Sequence, residues 1–151
     1  MKKTLIIVSI VYAIVFSSYG QHNLTKEQQQ VQKTIIEMFQ GFADLNTEEI
    51  IRNCTHDIQV IENGVIWNLD TLVLKVNERK GKKFKRINSL GFKETNVDGN
   101  TAWAVYNNEA NITLNEQTVL IRWLESAVLV RVGNEWKIKL LHSTLIERIK
   151  K

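Results

Sequence analysis

Trp123-Leu124-Glu125-Ser126-Ala127-Val128-Leu129-Val130-Arg131-Val132-Gly133-Asn134-Glu135-Trp136-Lys137-Ile138-Lys139-Leu140-Leu141-His142-Ser143-Thr144 reads as a long β-hairpin. Runs rich in β-branched and aromatic residues flank Gly133-Asn134-Glu135, where Gly and Asn tolerate the positive φ of tight turns. A three-residue loop sets Val132 opposite Trp136, Val130 opposite Ile138 and Val128 opposite Leu140, giving one continuous apolar face. A two-residue loop sets Arg131 against Trp136 and interrupts that face, so the longer loop is the expectation. In that register Ser126 lies opposite His142 on the same face, past the aliphatic block. A polar pair at the end of an apolar sheet face predicts a pocket with Ser126 and His142 inside it. Arg131, Lys137 and Lys139 fall on the other face, as a solvated surface requires.

Residues 1–20 precede the domain. Lys2 and Lys3, the apolar run Leu5 to Phe16, and Ser18-Tyr19-Gly20 before Gln21 have the three-part order of a cleavable signal peptide. The run is short for a bilayer span, so no stable membrane insertion is expected after cleavage. The 151-residue chain then leaves residues 21–151 as a single domain, expected to be secreted or periplasmic. The net charge is +4; loss of Lys2 and Lys3 leaves 18 basic against 16 acidic residues, or +2. That is too little to point to nucleic acid. The basic cluster Lys75, Arg79, Lys80, Lys82, Lys83, Lys85 and Arg86 reads as a solvated helix end and turn. Cys54 is the one cysteine, so no intramolecular disulfide forms, and it reads as a small buried hydrophobe on a helix. Three His and one Cys show no metal-ligand spacing, and no cofactor is implied.

Upstream of the hairpin, Thr25-Lys26-Glu27-Gln28 forms a capping box that opens a helix with Val31, Ile35, Met38, Phe39 and Phe42 on one face. Gln28, Gln29, Gln30 and Gln32 form its wet face. Asn46 opens a short second helix close behind. Asp57 to Glu62 is a strand, with Ile58, Val60 and Glu62 on one side; Asn63-Gly64 turns it toward Val65-Ile66-Trp67. Asp70 is the expected cap of a third helix. From Phe84 onward the chain reads as four strands with turns at Asp98-Gly99-Asn100, Leu114-Asn115-Glu116 and Gly133, uninterrupted by Pro. The predicted class is α+β: a curved antiparallel sheet covered by three N-terminal helices.

This order, with Trp-Leu-Glu-Ser-Ala-Val-Leu-Val at Trp123–Val130, Trp-Lys-Ile-Lys-Leu-Leu-His-Ser-Thr at Trp136–Thr144 and Thr101-Ala102-Trp103, resembles the cone-shaped nuclear-transport-factor-2-like superfamily and its SnoaL-like branch. The resemblance spans Leu24 to Arg148. It implies a pocketed cone, and its members include isomerases, cyclases, dehydratases and non-enzymatic domains, so fold alone selects no function. By that resemblance Glu62 matches the isomerases' carboxylate base. Met38 stands where their first helix supplies a phenol, and methionine cannot donate a hydrogen bond to an oxyanion. No partner acid on the sheet is evident, so isomerase activity is set aside.

Ser126 with His142 is the leading polar pair. Glu62, Trp67 and Tyr106 are further pocket candidates, and Arg122 shares parity with Ser126, needing a carboxylate or a ligand anion if it points inward. Trp123, Leu129, Leu141 and Leu145 would then share the outer face and form a homodimer interface. Two functions follow: an exported module for binding a small apolar ligand or for assembly, or a cofactor-free lyase, cyclase or isomerase using Glu62 and His142 as base and acid.

Overall fold

The computed structural model describes residues 24–151, so the expected signal peptide lies outside the described residues. The elements are α1 (Lys26–Asp44), α2 (Thr47–Asn53), β1 (Cys54–Glu62), β2 (Val65–Trp67), α3 (Leu69–Asn77), β3 (Phe84–Asp98), β4 (Thr101–Leu114), β5 (Gln117–Val132) and β6 (Glu135–Lys150). Three helices thus pack on a curved, unclosed sheet, the α+β class read from the sequence. Strand order is β2-β1-β6-β5-β4-β3. The sheet is mixed rather than wholly antiparallel, because β1 runs parallel to β6. A parallel pair needs a long crossover, and α3 with the β3–β5 meander supplies it.

Local chemistry sets the helix ends. Thr25 Oγ1 accepts from the Gln28 amide and the Gln28 side chain accepts from the Thr25 amide, closing the capping box. Asn46 caps α2. Asn68, not Asp70, caps α3, its Oδ1 accepting from the Thr71 amide. Cys54 opens β1 instead of ending a helix; burial pushes its thiol pKa up to about 12, leaving it inert. The wet face assigned to α1 is partly a clamp. Gln28 Nε2 donates to the Thr95 carbonyl (2.7 Å) and Gln32 Nε2 to Thr95 Oγ1 (2.9 Å), tying α1 to β3.

Val31, Ile35, Met38 and Phe39 of α1 press on a floor that includes Ala102, Ala104, Ala127 and Leu129. Small residues let a helix lie close to a sheet, so the in-phase alanines mark the inner face. From Ile121 to Leu129 the odd positions of β5 therefore point inward, and the even ones outward.

That phase corrects the hairpin reading. Gly133-Asn134 is a two-residue turn with positive φ at Gly133, and Val132 pairs with Glu135. Arg131 does pair with Trp136, and it is stabilised there: its guanidinium lies 4.4 Å from the indole centroid. A bulge at Lys139 then restores the predicted pairs Val128–Leu140 and Ser126–His142. The partners are as expected, but their face is the opposite one. Val128, Val130 and Ser126 are half-buried on the outside, while Leu129, Ala127 and Glu125 are buried inside.

Candidate functional site

One row of side chains crosses five strands on the inner face. Strand register aligns Glu62 of β1 with Ser143 of β6, Ser143 with Glu125 of β5, Glu125 with Tyr106 of β4, and Tyr106 with Phe92 of β3. Laterally paired residues share a face, so this row is a consequence of register alone.

Glu125 is its centre. The carboxylate is 4% exposed, accepting from Ser143 Oγ at 2.8 Å and from Asn108 Nδ2 at 3.1 Å. Burial pushes its pKa up to about 7, because a charge is costly to remove from water; the two hydrogen bonds and the Arg86 charge oppose that shift without cancelling it. Near neutral pH both its protonated and its ionised form are therefore populated. The Tyr106 hydroxyl is buried without a hydrogen-bond partner, and burial, with the nearby Glu125 carboxylate, raises its pKa well above the ordinary phenol value. Asn108 Oδ1 is likewise buried and unpartnered.

The row opens onto a cavity of about 470 Å³ between the sheet, α1 and α3. Glu62, Trp67, Glu125 and Ser143 lie on its wall with Phe39, Phe42, Leu72, Val76, Ile121, Trp123 and Leu141. Its cations are Lys75, Arg79, Arg86 and Arg148. Three of these, Lys75, Arg79 and Arg86, belong to the run read as a solvated helix end and turn. The strand phase of β3 turns Arg86 inward while Lys85 stays outside. Arg86 Nε donates to Asn88 Oδ1 (2.7 Å), and Asn88 Nδ2 donates to the Phe39 carbonyl (3.0 Å). Its guanidinium lies over Phe39 and Phe42, 5.8 and 5.4 Å from the ring centroids. Burial lowers its pKa to about 10, so it remains protonated at neutral pH.

The sequence candidates divide. Glu62 and Trp67 are on the cavity wall. Tyr106 is fully buried, beneath Phe39 and Phe92, and is not on that wall. Ser126 and His142 are on the outer face, and His142 is exposed. The inverted face removes His142 from any chemistry with Glu62: β1 register pairs His142 with Ile61, whereas Glu62 pairs with Ser143. Arg122 also points outward, bonded to Glu109 (2.6 Å) and to Glu147, the carboxylate partners it requires. Glu125, Asn108, Ser143 and Arg86 were missed. The legible signal was the alternation Ala102, Ala104, Tyr106, Asn108, Ala110, whose alanines identify the helix-facing phase.

Among the described residues no group of His, Cys, Asp and Glu could hold a metal ion, and no helix is long and apolar enough to cross a membrane.

No family model matches the chain, and no curated protein matches it. Solved structures do resemble it. A nuclear-transport-factor-2-like protein of Cytophaga hutchinsonii aligns with a TM-score of 0.68 at 14% identity, covering 82% of this chain and 100% of that one. A ketosteroid isomerase-like protein of Erwinia carotovora atroseptica gives 0.68 at 14%, covering 82% and 99%. The CamKII hub homology domain of Chlamydamonas reinhardtii gives 0.71 at 17%, covering 80% and 99%. The chain therefore has the nuclear-transport-factor-2-like fold that its sequence resemblance implies. At such identities the likeness concerns fold alone.

Proposed function

We propose that this chain is an exported small-molecule-binding module whose ligand occupies the inner cavity. The observation that carries the reading is the cavity itself: about 470 Å³, walled by aromatic and aliphatic side chains, with the buried Glu125 on its wall. Apolar walls with a few fixed polar groups are the general form of a ligand site. A second reading has a specific support. Glu125, with its pKa near 7, and Glu62 share one row beside the cavity, so proton transfer on a bound molecule is feasible with Glu125 in the place first given to His142. The similarity to an isomerase-like protein fits either reading.

A second copy of the chain is proposed to cover the outer sheet face. Of the residues first named for this, Trp123, Leu129 and Leu141 are buried on the inside instead, and Leu145, though exposed, pairs with Trp123 and so shares its face. The outer face nevertheless carries Trp103, Leu124, Val128, Val130 and Leu140, with Trp103 40% exposed. A contiguous apolar face of this kind is unfavourable in water. A dimer would cover it, and the hub-domain likeness is in keeping with assembly.

Native mass spectrometry of protein secreted by its host, followed by a thermal-shift metabolite screen, tests these points together. The expected species starts at Gln21, is dimeric, and is stabilised by at least one compound that Ile121→Trp, which fills the cavity, no longer accepts. Retention of residues 1–20 would refute export. A wild-type monomer at micromolar concentration would refute the dimer, and Trp103→Asp is expected to dissociate it. Stabilisation by no compound, or equal stabilisation of Ile121→Trp, would contradict the cavity as ligand site.

A further inference from the structure

The cavity's charges are unequal. Lys75, Arg79, Arg86 and Arg148 line it against two carboxylates, Glu62 and Glu125. Lys75 and Arg79 have partners outside: Lys75 pairs with Glu78, and Arg79 Nη1 donates to the Lys75 carbonyl. Arg86 differs. Among the described residues it forms no salt bridge, and its one side-chain hydrogen bond uses Nε. Both Nη groups are left without a protein acceptor, in a guanidinium that Asn88 and two phenylalanine rings hold in place. The residue is half-buried, so these donors open onto the cavity, where a fixed cation with free donors is a ready seat for a ligand anion. Guanidinium geometry matches a planar carboxylate through two parallel hydrogen bonds.

We propose that the occupant of this cavity is a small apolar carboxylic acid in its ionised form, with its carboxylate on the Nη groups of Arg86 and its body against Phe42, Trp67, Leu72 and Ile121. The proposal rests on the small-molecule reading above and adds the ligand's class. Two features favour a monoanion over a phosphate or other dianion. Glu62 and Glu125 both lie near enough to act on the Arg86 charge, and each, whenever ionised, would repel a second negative charge. The remaining wall is predominantly apolar, which suits a hydrocarbon body better than a sugar phosphate.

The test uses purified protein at pH 6 and three probes: the neutral fluorophore phenylnaphthylamine, naphthoate, and its uncharged isostere naphthamide. Phenylnaphthylamine reports whether the cavity admits an apolar molecule at all. Naphthoate is expected to displace it at least about tenfold more tightly than naphthamide, as a charge-assisted bidentate contact should. Arg86→Gln is expected to erase that preference, so that naphthoate and naphthamide displace phenylnaphthylamine equally from the variant. Should Arg86→Gln not fold, Arg86→Lys keeps the charge but loses the fork, and a several-fold smaller preference is expected. Fluorophore binding with equal displacement by acid and amide would overturn the carboxylate proposal and leave the binding site standing. An acid preference that survives Arg86→Gln would overturn it equally. Binding of none of the three would overturn both readings.

Discussion

Glu125→Gln is expected to stabilise the protein at pH 8 by about 3 kcal/mol and to flatten its stability between pH 5 and 8. The carboxyl's pKa rises from its ordinary 4.5 to about 7 on folding. An acid with a raised folded-state pKa holds its proton more tightly in the folded chain. Its burial penalty is therefore absent below about pH 4.5, grows as pH rises toward 7, and is complete above that. Glutamine carries no charge at any of these pH values, so the penalty disappears. The hydrogen bonds survive the change. Ser143 Oγ can still donate to the amide oxygen that replaces the carboxylate, and Asn108, whose Oδ1 has no partner, can turn its amide to accept from the new Nε2 group. Urea unfolding across this pH range checks the claim. Equal pH dependence in the two proteins would contradict it.

Ala127→Leu is expected to cost about 2 kcal/mol or more, whereas Ser126→Val is expected to change stability by less than about 0.5 kcal/mol. The residues are adjacent in β5 but lie on opposite faces. Ala127 is fully buried in the cluster that receives α1, where a larger side chain has no room without moving the helix. Ser126 is half-buried on the outer face, where a β-branched residue suits a strand. Denaturant midpoints at fixed protein concentration decide the matter. A tolerated Ala127→Leu with a damaging Ser126→Val would restore the face first read from the sequence.

The reason that face was misread lies in β5 itself. Trp123, Ala127 and Leu129 alternate with Leu124, Val128 and Val130, so hydrophobic periodicity cannot distinguish inside from outside. A sheet face kept apolar on its outer side removes the contrast on which such reading depends. The bulges at Lys139 and Ile146 hide the matter further, since each moves one residue out of register and nothing in the residue types announces it. A three-residue turn gives correct partners beyond Lys139 and incorrect ones before it. The helix order was legible for the opposite reason. Thr25 and Gln28 form a local box, and Val31, Ile35 and Met38 repeat on a single face with polar residues opposite.

The site was legible only at its edge. Glu62 stands out in an alternating strand next to an Asn-Gly turn, so its inward phase follows from Ile58 and Val60. Glu125 sits among apolar residues of both phases, and its burial depends on the register of three neighbouring strands. Arg86 follows the exposed Lys80, Lys82, Lys83 and Lys85, and only the alternation of β3 turns it inward while Lys85 stays outside. Long-range pairing, rather than local composition, creates the row from Glu62 to Phe92.

The central claim is that a buried carboxyl group, populated in both protonation states near neutral pH, sits beside the ligand cavity at Glu125. Carbon-13 NMR of the glutamate side-chain carboxyls, titrated from pH 3 to 9 with Glu125→Gln for assignment, measures it directly. A Glu125 midpoint near 7 is the predicted result. A midpoint at the ordinary glutamate value of 4.5 would place that carboxyl in water and contradict the account.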